Sequence, residues 1–105
     1  MADFSKIFEQ AQQMQARMQQ MQTELEKQTV TAAAGGGMVT VEADGKGTIT
    51  RVKIDPSVAD PKDVEMLEDL VLVAVIEAQK KAAELAKEEM SKLTGGLNLP
   101  FKLPF

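Results

Sequence analysis

Apolar residues recur along this 105-residue chain with two different periods. Up to residue 25 one set of them, Phe4, Ile7, Ala11, Met14, Met18, Met21 and Leu25, recurs in alternating steps of three and four. That is a heptad seam held for three heptads. It predicts a helix over about residues 3–28, roughly 39 Å long. Gln10, Gln12, Gln13, Gln15, Gln19, Gln20 and Gln22 fill its other faces with polar helix formers. The seam outlasts any sheet so short a chain can build. Part of it is therefore expected to pack against another chain as a coiled coil, the alternative being its own sheet.

Beyond residue 28 the period drops to two. Thr29–Ala34 reads as a strand closed by Gly35-Gly36-Gly37, residues 38–43 as a second, and residues 48–54 as a third. Asp44-Gly45-Lys46-Gly47 between the last two is a hairpin signal. A two-residue loop at 44–45 or 45–46 puts Val39, Val41 and Ala43 on one face with Val52 and Ile54. Thr40, Glu42, Arg51 and Lys53 take the other face. One covered face and one wet face are expected.

The helical period then returns. Asp60 reads as an N-cap, Pro61 as the first helical residue and Asp63 as a first-turn acid, opening a helix that runs to about residue 93. Residues 64–76 are apolar nearly all round, which predicts a half held between the sheet and another helix. Residues 77–92 alternate Lys with Glu, offering pairs such as Glu77–Lys81 and Glu88–Lys92, and are expected to be mostly exposed. Gly95-Gly96 ends the helix. Residues 96–105 are apolar but broken by Pro100 and Pro104, and are expected to form a flexible tail, with docking on a neighbour or a partner as the alternative. The whole is an α+β domain over residues 1–105, helix, three-stranded antiparallel sheet, long helix (α-β-β-β-α), expected to dimerise with protruding helix ends. Helices longer than the sheet is wide leave apolar surface that a two-fold partner would cover.

Composition removes most chemistry. There is no Cys and no His, so disulfides, thiolates, common zinc sites and imidazole catalysis are excluded. No serine sits in a nucleophile elbow, and the glycine run lacks the Lys-Ser or Lys-Thr of a phosphate loop. The expectation is a binding protein and no enzyme, without cofactor, metal or small-molecule substrate. Neither a signal peptide nor a membrane span is visible, so the expected location is the cytoplasm. Net charge is −4, with a net −5 concentrated in residues 55–69 and +1 left for the remainder. That balance does not advertise a nucleic-acid binder, although local patches govern contact.

Taken in order, the segments carry a resemblance. A Met/Gln-rich helix leads to Ala34-Gly35-Gly36-Gly37-Met38-Val39-Thr40-Val41. The hairpin 44–47 leads to Val52-Lys53-Ile54-Asp55-Pro56, then to Asp60-Pro61-Lys62-Asp63-Val64 and a closing Lys92-Leu93-Thr94-Gly95-Gly96-Leu97. This set resembles the YbaB/EbfC family of bacterial nucleoid-associated proteins over essentially the whole chain. The resemblance implies a homodimer with helix ends held like tweezers. It also implies binding of double-stranded DNA with little or no sequence preference, and a part in nucleoid organisation and gene regulation.

The family supplies no residue-level DNA motif, so the candidate contacts are chosen from charge: Lys6, Arg17 and Lys27 on the first helix, and Lys80, Lys81, Lys87 and Lys92 on the second. Met14, Met18, Met21, Leu70, Val73 and Ile76 are the dimer-interface candidates. The competing function is a protein–protein adaptor in DNA replication or recombination repair, built on the Met seam and the Leu-Pro-Phe tail.

Overall fold

The computed structural model describes residues 4–94. The order is α1 (Phe4–Lys27), β1 (Thr29–Ala34), β2 (Val39–Asp44), β3 (Ile49–Ile54), a 3-10 turn (Pro56–Val58) and α2 (Val64–Thr94). The strands form one antiparallel sheet in the order β1-β2-β3. The α-β-β-β-α architecture expected from the periodicities is present. The tail expected at 96–105 lies outside the described residues.

Three local details differ from the sequence reading. The β2–β3 loop has three residues: Asp44 N–H donates to the Thr48 carbonyl at 2.9 Å, and Gly47 N–H to the Asp44 carbonyl at 3.0 Å. Asp44 Oδ1 accepts from the Lys46 and Thr48 amides. Gly47, at φ +90°, supplies the left-handed residue, so Gly45 does not. A three-residue loop alone would put Val41 opposite Arg51. One extra residue, Thr50, shifts the register between Glu42 and Ala43, and its hydroxyl donates to the Glu42 carbonyl. Beyond that bulge Val41 pairs with Val52 and Val39 with Ile54. The expected facing is therefore restored by a bulge rather than by the turn.

The second helix begins later than Asp60-Pro61 suggests. Asp55 accepts from Ser57 N–H and opens the 3-10 turn. Asp60 accepts from Lys62 N–H in a separate turn, and Asp63 Oδ1 accepts from Met66 N–H at 3.3 Å, the geometry of the true N-cap. The third difference is in the ion pairs. Lys81 Nζ donates to the Thr31 carbonyl at 2.7 Å instead of pairing with Glu77, and Lys92 pairs with Glu89 instead of Glu88.

The core lies between α2 and the first two strands. Ala32, Ala34, Val39, Val41, Ala43, Val58, Ala74 and Ala78 form it. Five of those eight are alanine, so the helix backbone approaches the sheet closely. Ala78 and Ala82 extend this buried line into the half of α2 expected to be mostly exposed. The apolar half, expected to be sandwiched, is covered on its sheet side alone among the described residues. Leu72, Val73 and Ile76 are 50–58% exposed, and on the β3 side of the sheet Val52 and Ile54 are 43% and 38% exposed. The molecule is 75 Å long against 24 and 16 Å in the other directions, while α2 accounts for only ~46 Å at 1.5 Å per residue. The remaining length comes from α1 projecting past the body.

Candidate nucleic-acid interface

The projecting arm is anchored at its C-terminal end. Leu25 is the buried residue of α1, and its carbonyl accepts from Gly45 N–H at 2.8 Å. Lys46 pairs with Glu26 at 3.0 Å, and Gln79 of α2 donates to the Gly47 carbonyl at 3.2 Å. These contacts tie α1, the β2–β3 hairpin and α2 together around one point. Met21 faces the same helix, lining an apolar cleft of about 500 Å³ with Ala83, Ala86 and Met90, rimmed by Lys80, Glu84 and Lys87. The end of α1 thus runs beside residues 80–90 of α2. Residues 4–13 are exposed without exception.

The charge is sorted along this long axis. Asp60, Asp63, Glu65, Glu68 and Asp69 gather about the start of α2, where the helix dipole favours acids. The other half of α2 carries four Lys and four Glu between residues 77 and 92, and α1 balances Lys6, Arg17 and Lys27 against Glu9, Glu24 and Glu26. The acidic end and the neutral arm are therefore separated by most of the length of α2.

Of the seven cations chosen from sequence, all are exposed, but their engagement differs. Lys81 is held by a backbone carbonyl of β1, and Lys92 by Glu89. Lys6, Arg17, Lys27, Lys80 and Lys87 have no hydrogen-bond or ion-pair partner among the described residues. The structure brings Lys80 and Lys87 to the rim of the Met21 cleft and distributes Lys6 and Arg17 along the free arm. Sequence reasoning passed over Arg51 and Lys53, which stand exposed on the open face of the sheet, with Glu42 directly opposite Arg51. Their alternation with Val52 and Ile54 was the available signal.

The interface candidates also separate into two places. Met21 lines the cleft against its own α2, Met14 is half-buried and Met18 is 37% exposed. Leu70 packs against the core and approaches Gly35, whereas Val73 and Ile76 are open.

Comparison with known proteins decides the family. The model of the YbaB/EbfC DNA-binding family matches residues 1–97. The chain belongs to this family. A relative from Gemmatimonas aurantiaca, named nucleoid-associated protein, is 55% identical over 98% of this chain and 99% of its own. One from Gluconacetobacter diazotrophicus, also named a nucleoid-associated protein, is 50% identical over all of this chain and 98% of its own. A crystal structure of an uncharacterized protein from Helicobacter pylori superposes with TM-score 0.81 at 25% identity, over 90% of this chain and all of that one. No described helix is long and apolar enough to cross a membrane, and no group of metal-ligating residues occurs among the described ones.

Proposed function

We propose that the chain is a nucleoid-associated protein that binds double-stranded DNA as a homodimer, through the projecting helices and with little or no sequence preference. It would act in the cytoplasm on the nucleoid, organising it and so influencing gene regulation. The observation that carries this is the sorting of charge: Lys6, Arg17, Lys27, Lys80 and Lys87, all without protein partners among the described residues, lie on the helices towards the arm, while the acidic cluster sits at the far end of α2. Family membership supplies the DNA.

The chemistry favours phosphates over base edges. Bidentate reading of guanine is best served by arginine, and among the five unpartnered cations of the candidate set one, Arg17, is an arginine. Lysine acts on phosphate as a point charge. A dimer of net charge −8 must present its neutral arms and keep its acids away, so affinity is expected to be modest and strongly salt-dependent.

Dimerisation is supported by the uncovered apolar surface. A groove of about 480 Å³ lined by Ile54, Leu67, Val71, Leu72 and Val75 joins the β3 side of the sheet to α2, and Val73 and Ile76 continue the exposed face along the helix. The two sheet edges also differ. Lys81 covers a carbonyl of edge strand β1, a common way of blocking further pairing. β3 has no such guard among the described residues.

The test is fluorescence anisotropy of a labelled duplex of about three helical turns, titrated from about 50 to 200 mM salt with protein whose mass has been fixed by light scattering. Log K should fall linearly with log salt. Lys80→Gln/Lys87→Gln and Lys6→Gln/Arg17→Gln should each flatten the slope, by roughly three to four if both copies touch DNA. Absence of binding by a pure dimer at the lowest salt would sink the proposal and favour an adaptor that reaches the nucleoid through a replication or recombination-repair protein.

A further inference from the structure

Methionine is the readily oxidised side chain of this protein. The sequence has seven Met and no Cys, His, Trp or Tyr. The described methionines sit in different surroundings. Met18, Met38 and Met66 are 37%, 38% and 40% exposed, so an oxygen added to any of them meets water. The Met38 sulfur already accepts from the Ser57 hydroxyl at 3.6 Å. Met14 is half-buried on α1. Met21 of α1 and Met90 of α2 are also half-buried, and these two share the apolar cleft of about 500 Å³ where the helices meet.

That cleft is where α1 is seated. Leu25 is the buried residue of the helix, and residues 4–13 are all exposed, so the seat beyond Leu25 rests on Met21. Opposite it α2 presents the short side chains of Ala83 and Ala86. The two thioether chains occupy the space between, as flexible unbranched side chains do in irregular gaps. A second cleft, of about 480 Å³, opens beside the same methionine between Gln22, Lys46 and Gln79. Solvent therefore approaches Met21 from two sides, and hydrogen peroxide, little larger than water, has the same access.

We propose that Met21 and Met90 form a peroxide-sensitive modification site whose oxidation unseats α1 from α2. Oxygen transfer breaks the O–O bond of hydrogen peroxide and forms an S–O bond on the thioether. The sulfur is oxidised by two electrons, and the peroxide is reduced to water as the proton of the transferred oxygen passes to the departing hydroxide. A sulfoxide is polar and a strong hydrogen-bond acceptor where the thioether was a weak one, and burying it without a donor is costly. Ala83 and Ala86 offer none. The donors among the lining side chains are the ammonium groups of Lys80 and Lys87 on the rim, so the sulfoxide gains a partner by leaving the cleft, and α1 loses its seat. Methionine sulfoxide reductases, one for each sulfoxide epimer, restore the thioether. The site is built from contacts within one chain and stands whether or not the arms bind DNA.

The full chain is treated with excess hydrogen peroxide, quenched with catalase, mapped by peptide mass spectrometry and followed by amide hydrogen exchange. Met21 and Met90 should each gain an oxygen. Amides of residues 18–25 should then exchange at least about tenfold faster, while those of β2 keep their protection. Met21→Leu/Met90→Leu keeps the cleft apolar at small cost, since Leu and Met replace one another well. After the same treatment, with its remaining methionines oxidised, this variant should exchange as it did before. Reductases of both epimer specificities, added to the oxidised wild type, should return its exchange to the starting rate, a result independent of any substitution. Four results would each overturn the proposal: Met21 and Met90 left unmodified when Met18, Met38 and Met66 carry oxygen; modification of both without faster exchange; faster exchange in the Leu variant; and acceleration that the reductases do not reverse.

Discussion

Gly45 holds the arm to the body by having no side chain. Its backbone is in an ordinary conformation, so an alanine there is not strained in itself, and the whole cost is steric. A Cβ would stand 2.6 Å from the Leu25 carbonyl oxygen, 2.9 Å from Leu25 Cδ2 and 3.1 Å from Leu25 Cα. Ordinary contact begins near 3.4 Å, and two of those three atoms are backbone at the last turn of a helix, which cannot rotate aside. α1 has to back away. That stretches the Gly45 N–H to Leu25 carbonyl bond of 2.8 Å, whose net worth is about 1 kcal/mol, and it adds an overpacking cost of about 1–3 kcal/mol. Gly45→Ala should therefore destabilise by about 2–4 kcal/mol, a fall in melting temperature of roughly 10–25 °C for a chain of this size. Thermal unfolding by far-ultraviolet circular dichroism measures it, at one fixed protein concentration so that any self-association contributes equally to both proteins. Gly36→Ala is the control: it adds a Cβ in open space and bears only the strain of its positive φ of 67°, about 1–2 kcal/mol. A Gly45→Ala protein within about 0.5 kcal/mol of wild type would refute the reasoning, since α1 would then not be seated against the hairpin as closely as 2.6 Å requires.

Two further outcomes follow from the helix start and from one carboxylate. Asp63→Ala removes the oxygen that accepts from Met66 N–H and should cost about 0.5–2 kcal/mol. Asp60→Ala, at a turn outside the helix, should cost less, and chemical denaturation of the pair orders them. The Asp55 carboxyl is held below its usual range, first by its side-chain hydrogen bond with Ser57 and then by the Ser57 amide, against a weaker opposing effect of desolvation, with the charge of Lys53 the smallest contribution. A depressed folded-state pKa means stability that is present above the unfolded value and is lost as pH falls through the folded one. Asp55→Asn should accordingly lose little sensitivity near neutrality but show a shallower loss of stability in acid, below about pH 4. Identical acid limbs for the two proteins would dismiss Asp55 as a contributor.

Element type was legible where the apolar period was unbroken. The 3-4 seam from Phe4 to Leu25 and the alternation from Val39 to Ala43 each specify their element without outside help. Errors appeared where two signals shared one residue type. Asp44-Gly45 has the composition of a two-residue hairpin, yet Gly45 is required by the approach of Leu25, and the left-handed position falls to Gly47. Periodicity cannot separate a glycine needed for its φ from one needed for its missing Cβ. Likewise Asp55, Asp60 and Asp63 all precede residues whose amides need an acceptor, and all three accept one. Only the last opens an α-helix, and the distinction lies in the turns between them. For the candidate site, charge and helical periodicity identified the exposed cations. They did not reveal that Lys81 is occupied at Thr31, because that contact spans fifty positions in sequence.

The alanines explain why the chain leaves apolar surface uncovered among its described residues. Ala32, Ala34 and Ala43 on the sheet meet Ala74 and Ala78 on α2, and small residues on both sides bring a helix close to the strands beneath it. A helix set that close, over β1 and β2, has its larger side chains displaced to the flanks. On one flank lie Leu67, Val71 and Val75, half-buried, with Leu72 and Ile76 beyond them in solvent. Beneath that flank is β3, whose Val52 and Ile54 face the helix side and remain about two-fifths exposed. Widening the seam, as leucines at positions 74 and 78 would, lifts α2 without covering β3. The alanine seam therefore fixes a choice: a tight core over two strands, and a third strand whose apolar face is left for a surface from outside the chain. At about 25 cal/mol for each Å² of apolar surface removed from water, covering these four exposed side chains favours the partner surface that the proposed homodimer would supply.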